Sequence, residues 1–286
     1  MNRKDFLKKS FLGVSAIGAT GLQKTPDSAN AQDVPEIGFE HIPRDAKTSN
    51  MKKVLHRAAT RGHANHGWLD SHHTFSFANY RNPERVHFGA LRVLNDDRVA
   101  AGRGFPKHPH DNMEIISIPL EGDLEHQDSM GNKTVIRQGD VQIMSAGRGV
   151  VHSEMNHHAD REVKFLQIWV FPKEKNIVPN YDQASFPAAK RRNRFQTVVS
   201  PSGDEGIDIN QNAWFSLADL DKGQELAYDV HQKGNGVYVF VLEGTVETAG
   251  EELSSRDGIG VWETDKLNFR AKDFTRLLVM EVPMTF

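Results

Sequence analysis

Residues 102–122 read GRGFPKHPHDNMEIISIPLEG, and this stretch leads from a His-Pro-His sequence into a predicted β-strand. The strand covers Glu114–Leu120 and stops at the turn residues Glu121-Gly122. A second strand is predicted over Val86–Leu94, followed by a turn at Asn95-Asp96-Asp97. Short apolar runs of this kind recur between the 23 Gly and 12 Pro of the 286-residue chain. The pattern predicts an all-β protein.

The strand that ends at Gly122 has a counterpart 122 residues later in the chain. Residues 116–122 (ISIPLEG) are echoed by residues 239–244 (VFVLEG). Further along, residues 137–143 (RQGDVQI) are echoed by residues 256–261 (RDGIGV). Two matches in the same order and at similar spacing indicate an internal repeat. We therefore predict two β-barrels of one type in tandem.

The N-terminal 31 residues have the composition of an export signal. A basic start is followed by the apolar stretch Phe11–Leu22, which is too short to span a bilayer, and by Ala29-Asn30-Ala31 as a cleavage site. The run RKDFLK resembles the twin-arginine signal, with Lys4 in place of the second arginine. An ordinary secretory signal is the alternative. Either signal predicts a periplasmic or secreted protein.

The charge and composition exclude several classes of function. Removal of residues 1–31, whose net charge is +3, changes the net charge from −3 to −6. A mildly acidic chain without a basic stripe predicts no nucleic-acid partner. The chain has no Cys, which excludes disulfides, iron–sulfur clusters and thiolate metal sites. We expect a monomer without a membrane span.

Two short sequences predict a metal site. In a β-strand, residues i and i+2 point to the same face. His108-Pro109-His110 and His152-Ser153-Glu154 therefore each present two ligands on one face. If the two strands are neighbours in a barrel, three imidazoles and one carboxylate converge. This ligand set suits a divalent transition metal that keeps coordination positions open for chemistry or ligand exchange.

The C-terminal repeat lacks these ligands. At an offset of 122, Val230 and Gln232 stand where the first repeat has His108 and His110. His231 is one residue out of phase and would face the opposite side of a strand. We predict five segments: a signal peptide (1–31), an extended leader (32–50), a metal-binding barrel (51–175), a linker (176–194) and a barrel without metal ligands (195–286).

These motifs resemble the cupin pattern, and more closely the pirin family. The two cupin motifs are matched by Gly102, His108, His110 and Glu114, and by Gly139, Gly147, His152 and Asn156. In the second motif Ser145 replaces a proline and two extra residues precede the histidine, which is the pirin form. The resemblance covers residues 52–286 and implies two tandem cupin domains of the jelly-roll type. It is closest to bacterial pirins described as quercetin 2,3-dioxygenases.

The resemblance leaves two candidates for the carboxylate ligand. The general cupin pattern implies Glu114, whereas pirins use the glutamate two residues after the last histidine, here Glu154. The i, i+2 spacing from His152 gives Glu154 the closer approach, so we favour Glu154. Glu114 would then be a neighbouring group that orients an imidazole or contributes to the pocket.

The resemblance implies a metal-dependent dioxygenase that acts on flavonols or other phenols with O2, of the quercetin 2,3-dioxygenase type. Fe(II) is the predicted metal, and Zn, Cu, Ni, Co and Mn also suit three nitrogens and one oxygen. Glu154 or Glu114 would accept the proton of a substrate hydroxyl. The alternative is a non-enzymatic cupin that binds metal or senses redox state and acts through a small ligand or a protein partner. A metal-lined isomerase or sugar-binding cupin fits the pirin spacing less well.

The remaining histidines receive no role from the sequence. We expect structural roles for His63 and His66, which flank a turn, and surface loops at residues 72–73 and 157–158. His126 is expected either at the pocket mouth or on the surface.

Overall fold

The structure is a computed structural model that describes residues 51–286. The predicted signal peptide and leader, residues 1–50, lie outside the described residues. Within residues 51–286, 22 strands and three single-turn 3₁₀ helices account for the regular structure, and no helix there is long and apolar enough to cross a membrane. The helices are Ala58–Thr60, Ala188–Lys190 and Pro201–Gly203. The strands are β1 (Lys52–His56), β2 (Gly62–Asn65), β3 (Leu69–His73), β4 (Leu91–Val99), β5 (Gly104–His110), β6 (Glu114–Glu121), β7 (Leu124–Asp128), β8 (Lys133–Ile136), β9 (Asp140–Ser145), β10 (Val150–Asn156), β11 (Val163–Val170), β12 (Asn180–Ser185), β13 (Gln196–Ser200), β14 (Ile207–Asp208), β15 (Trp214–Leu220), β16 (Glu225–Asp229), β17 (Asn235–Glu243), β18 (Thr245–Thr248), β19 (Glu251–Ser254), β20 (Gly258–Trp262), β21 (Lys266–Ala271) and β22 (Thr275–Pro283).

The strands form two barrels, and each barrel is a seven-stranded sheet packed on a four-stranded sheet. In the first barrel the large sheet has the order β12-β9-β6-β11-β4-β3-β2 and the small sheet the order β5-β10-β7-β8. In the second barrel the corresponding orders are β1-β20-β17-β22-β15-β13-β14 and β16-β21-β18-β19. The expected all-β fold with two tandem cupin barrels is confirmed.

The internal repeat corresponds to equivalent strands of the two barrels. The order β9-β6-β11-β4 in the first large sheet matches β20-β17-β22-β15 in the second. The shared Glu-Gly lies at the ends of β6 and β17: the glutamate is the last strand residue, and Gly122 (φ 74°) and Gly244 (φ 83°) then turn the chain. A Cβ atom at Gly244 would lie 2.1 Å from the carbonyl oxygen of Phe274. Glycine is therefore required there by both the backbone angle and the space.

Two edge strands cross the predicted segment boundaries. β1, at the start of the predicted first domain, pairs with β20 of the second barrel, with Lys52 opposite Trp262. β12, inside the predicted linker 176–194, pairs with β9 and completes the first large sheet. Each strand satisfies backbone groups at an exposed sheet edge. Their partners are distant in sequence, so no local pattern reveals them.

The predicted turn at Asn95-Asp96-Asp97 is wrong, because these residues lie in the middle of β4. Their side chains have local turn propensity, but the backbone pairs with β3 on one side and β11 on the other. Asn95 and Asp97 are buried. Tertiary pairing thus overrides the local preference.

The two barrels differ in how their apolar clusters are divided. One large apolar cluster joins the two large sheets and includes Ile116 and Ile118 of β6 and Tyr238 of β17. A second cluster fills the second barrel with residues such as Val239 and Phe269. The first barrel holds two smaller apolar clusters and several buried polar side chains: Asn95, Asp97, His108, His110, Ser117, His126, His152, Glu154 and Gln167. These buried polar side chains include the three histidines of the predicted metal site.

Candidate metal centre

β5 and β10 are antiparallel neighbours, and this pairing brings the three predicted imidazoles together. His152 lies opposite His108, and Val150 lies opposite His110. The ring centroids of His108 and His152 are 4.4 Å apart, and that of His110 is 4.8 Å and 4.9 Å from them respectively. One ligand atom from each of the three residues lies within 4.8 Å of the other two. That spacing fits coordination of one ion.

A β-bulge in β5 sets the orientation of His108. Between the pairs His152–His108 and Glu154–Phe105, β5 has one more residue than β10. Pro106 lies in this bulge, and its carbonyl oxygen is 2.8 Å from His108 Nδ1. A carbonyl can only accept, so Nδ1 of His108 carries the proton and Nε2 keeps its lone pair for a metal.

His152 is oriented by two residues of β7 on the other side of β10. Asp128 Oδ2 accepts a hydrogen bond from His126 Nε2 over 3.0 Å. The Nδ1 atom of His126 then faces Nδ1 of His152 at 3.5 Å. Because the first bond places the proton of a neutral His126 on Nε2, His126 Nδ1 accepts from His152 Nδ1. The chain Asp128–His126–His152 therefore leaves the lone pair of His152 Nε2 available.

The burial and protonation of the three imidazoles fit a divalent metal ion. His108, His110 and His152 are 6%, 4% and 1% exposed. Burial lowers the pKa of all three, that of His110 to about 3, so they are neutral ligands at neutral pH. His152 Nε2 is buried and has no hydrogen-bond partner among the described residues. A metal ion held by the three imidazoles would satisfy this nitrogen.

Glu154 lies beside the three histidines but is held by other side chains. Its Oε1 accepts a hydrogen bond from Ser117 Oγ (2.9 Å), and its Oε2 accepts one from Gln167 Nε2 (2.6 Å). It lines the same cavity as His108 and His110, although the group of mutually close ligand atoms consists of the histidines alone. Each carboxylate oxygen has a second lone pair, so these bonds are compatible with metal ligation. Glu154 as the fourth ligand stays a prediction.

Glu114 points towards the second barrel. Its Oε2 accepts hydrogen bonds from Ser145 Oγ (2.6 Å) and from the backbone N–H of Asn210 (3.2 Å). Burial raises the pKa of Glu114 to about 7. Glu154 lines the cavity together with His108 and His110, and Glu114 is not among the residues that line it, so this arrangement favours Glu154 over Glu114 for both the ligand and the proton acceptor.

Comparison with known proteins identifies the family. The model of the family described as Pirin matches residues 54–170, and that of the Quercetinase C-terminal cupin domain matches residues 197–282. The chain is 42% identical to a quercetin 2,3-dioxygenase of Escherichia coli over 234 residues, which cover 80% of this chain and 98% of that protein. The chain belongs to the pirin family.

Two further relatives agree with this assignment. A putative quercetin 2,3-dioxygenase of Pseudomonas aeruginosa is 43% identical over 223 residues, covering 77% of this chain and 95% of that protein. Among solved structures, the bacterial pirin YhhW in complex with nickel(II) from Escherichia coli has a TM-score of 0.77 and 40% identity. The match covers 81% of this chain and 99% of that chain.

The cavity at the histidines of this pirin is small. Its volume is about 30 Å³, room for about one or two water molecules. The lining side chains are Leu69, Ser71, Phe77, Asn95, Asp97, Phe105, His108, His110, Glu154, Gln167 and Trp169. Asn95, Asp97 and Gln167 were missed by sequence reasoning. Gln167 could have been found as the polar residue in the otherwise apolar residues 165–170 of β11.

Two sequence expectations about histidines of this pirin are wrong, those for His126 and for residues 72–73. His126 is fully buried beside His152, not at the pocket mouth or on the surface. His72 and His73 lie in strand β3, not in a loop. His63 lies in the neighbouring strand β2, directly opposite His72. These placements depend on strand register, which local composition does not reveal.

Proposed function

We propose that this pirin is a metal-dependent dioxygenase that acts on flavonols or other phenols with Fe(II) and O2. The observation that carries the proposal is the buried group of three neutral imidazoles, His108, His110 and His152, with Glu154 on the wall of the same cavity. A mixed nitrogen and oxygen ligand set with open positions suits Fe(II) and O2 chemistry. The names of the Escherichia coli and Pseudomonas aeruginosa relatives support the substrate class.

Some residues of the site would bind the metal, and others would bind the substrate. A divalent metal held here would supply Lewis acidity towards a phenolic hydroxyl and redox chemistry towards O2. The three histidines hold the ion, and Glu154 is the proposed fourth ligand and acceptor of the hydroxyl proton. Phe77, Phe105 and Trp169 form apolar walls against which a phenolic ring packs.

The size of the cavity restricts how a substrate reaches the site. A volume of about 30 Å³ is far below the roughly 300 Å³ or more of ordinary ligand pockets. It is also far below the roughly 150 Å³ of a cavity that holds benzene, so a single-ring catechol and a three-ring flavonol both require the aromatic walls to move apart. We expect single-ring catechols to be accepted at least as well as quercetin.

The test is an oxygen-uptake assay with iron-loaded protein, quercetin and a series of catechols. Replacement of His110 by alanine is expected to abolish both iron binding and oxygen uptake. His157→Ala is the matched control, because His157 is an exposed imidazole 3.4 Å from Glu125. Unchanged oxygen uptake in His110→Ala would refute the proposal.

One observation favours a non-enzymatic alternative. The cavity has room for water-sized molecules but not for a flavonol. In this alternative the same histidines bind a metal, and the redox state of that metal changes how the protein binds a ligand or a protein partner. Trp169 lies 5.0 Å from His110 and gives a fluorescence readout of the site. Absence of turnover with every phenol, together with a Trp169 signal that follows iron oxidation, would favour this reading.

We further propose that the chain is exported by the twin-arginine route. The support is the sequence of residues 1–31, which lie outside the described residues. Replacing Arg3 and Lys4 by glutamine should keep the protein in the cytoplasm, as measured by cell fractionation. Continued export of that variant would favour an ordinary secretory signal.

A further inference from the structure

β2 and β3 carry a second group of metal-ligand side chains, on a part of the first barrel separate from the buried centre. His63 of β2 lies directly opposite His72 of β3, and Asp70 is two residues before His72. Residues i and i+2 share a strand face, and directly opposed residues are close cross-strand neighbours. The same rule that brings His108 and His152 together therefore brings these three side chains together.

The distances between these side chains fit a single ion. Asp70 Oδ1 is 2.7 Å from His63 Nε2 and 3.8 Å from His72 Nδ1. Ligand atoms about 2.0–2.1 Å from a tetrahedral ion are roughly 3.3 Å apart, which lies between these two values. The two imidazole rings are stacked with centroids 4.5 Å apart. One ligand atom from each residue lies within 4.8 Å of the other two, as in the buried centre.

The charges around Asp70 orient its carboxylate for this role. Arg98 donates a hydrogen bond to Asp70 Oδ2 over 2.9 Å, so Oδ1 is the oxygen that faces the imidazoles. A ligating carboxylate is commonly held in this way by a second partner. The positive charge of Arg98 weakens cation binding, and Glu162 at 3.7 Å from Arg98 offsets part of it. We expect weaker binding than at the buried centre.

Solvent can complete the coordination of an ion at this position. The side chains of His63 and His72 are 51% and 41% exposed, and that of Asp70 is 20% exposed. A cleft of about 270 Å³ adjoins His63 and is also lined by His66 and Tyr80. An ion bound here would exchange with solvent and keep at least one position for water. Imidazole and carboxylate ligands suit Zn(II), Ni(II) and Cu(II).

We propose that His63, Asp70 and His72 form a second, solvent-accessible site for a divalent transition metal such as Zn(II). The site is independent of the dioxygenase proposal, because no residue is shared with the buried centre. It also affects how metal content is interpreted. Metal analysis of the whole protein would count two ions per chain, and only one of them would report on the buried centre.

The experiment is a Zn(II) titration of the full, tag-free chain after removal of metal by a chelator, followed by calorimetry and equilibrium dialysis. The expected stoichiometry is two ions per chain in the native protein and one in either His63→Gln or His72→Gln. His110→Ala should also bind one ion, with the weaker of the two affinities. Both surface imidazoles are partly exposed, so circular dichroism melting should show that the two glutamine variants remain folded.

The matched control is His158→Gln. His158 Nε2 is 2.9 Å from Asp123 Oδ2, which makes it a histidine–carboxylate pair outside the proposed site. This variant should keep both ions. A stoichiometry of one in the native protein, two in His72→Gln, or one in His158→Gln would each overturn the proposal.

Discussion

Replacement of His126 by phenylalanine should weaken metal binding at the buried centre without removing a ligand. His126 Nδ1 accepts from His152 Nδ1 at 3.5 Å and thereby keeps His152 Nε2 free of a proton. Phenylalanine keeps the ring shape and the stacking on Tyr181, whose centroid is 4.6 Å from that of His126. The change therefore removes both hydrogen bonds of the imidazole, to His152 and to Asp128, while most of the packing is retained.

The size of the effect follows from the geometry. Loss of a partner that orients a metal-binding histidine typically reduces metal affinity by about 10–100-fold. The distance of 3.5 Å between His126 Nδ1 and His152 Nδ1 is at the outer limit of a hydrogen bond. The loss of metal affinity in His126→Phe should therefore be at the lower end of this range. We expect about a tenfold rise in Kd, or about 1.4 kcal/mol.

Asp128→Asn should have a larger effect than His126→Phe. The Asp128 carboxylate only accepts, so it fixes the proton of His126 on Nε2. An asparagine amide can donate to that nitrogen, which would move the proton to His126 Nδ1 and direct it at His152. His152 would then carry its own proton on Nε2, the nitrogen that faces the metal. We expect metal affinity to fall by about 100-fold, near the upper end of the same range.

The assay is Ni(II) titration in a His72→Gln background, so that the surface site does not contribute. His56→Phe is the control, because His56 is also buried and hydrogen-bonded, to Tyr238 at 2.8 Å, but belongs to β1. Equal Ni(II) affinity in His126→Phe, Asp128→Asn and the native protein would refute the proposed role of the chain Asp128–His126–His152. Thermal unfolding of each variant would separate lost affinity from lost stability.

Two further predictions concern stability, and a third concerns association. Gly244→Ala should lower the free energy of unfolding in urea by about 2–4 kcal/mol more than Gly223→Ala, because both glycines have positive φ but only Gly244 meets a backbone oxygen, that of Phe274. Burial alone would raise the pKa of Glu281, but hydrogen bonds from residues 231, 232 and 235 outweigh it and hold the pKa below 4.5. The stability from Glu281 is therefore present above about pH 4.5 and is lost as the pH falls through the folded-state pKa, so Glu281→Gln should flatten acid unfolding curves in that range. Deletion of residues 51–57 removes β1 and exposes the edge of β20, and size-exclusion chromatography should show association of the shortened chain.

The sequence was informative where the decisive geometry is local. The i, i+2 spacing of His108 and His110 gives one strand face without knowledge of the fold. The repeat similarly predicts a second barrel, because Glu-Gly recurs where a strand must turn. Both inferences need only neighbouring residues and the strand period.

Non-local features were missed, and each has a physical cause. Asn95 and Asp97 have turn propensity, yet pairing of β4 on both sides holds them in the sheet and places polar groups inside the barrel. β1 pairs with residues about 200 positions away. The orientation of His126 depends on the register of β7 against β10, and no pattern within residues 124–128 specifies that register.

β10 connects these observations, because both of its neighbours contribute to the site. β5 supplies two imidazoles on one side, and β7 supplies the Asp128–His126 pair on the other. The phase of β10 is set by the turn at residues 146–149, where Gly147 (φ 46°) leaves space for the carbonyl of Ile177 and Arg148 donates its backbone N–H to that carbonyl over 2.9 Å. Insertion or deletion of one residue in this turn would move the side chains of His152 and Glu154 to the opposite face of the sheet. The pirin-type spacing before His152 is therefore part of the metal centre, although none of its residues is a ligand.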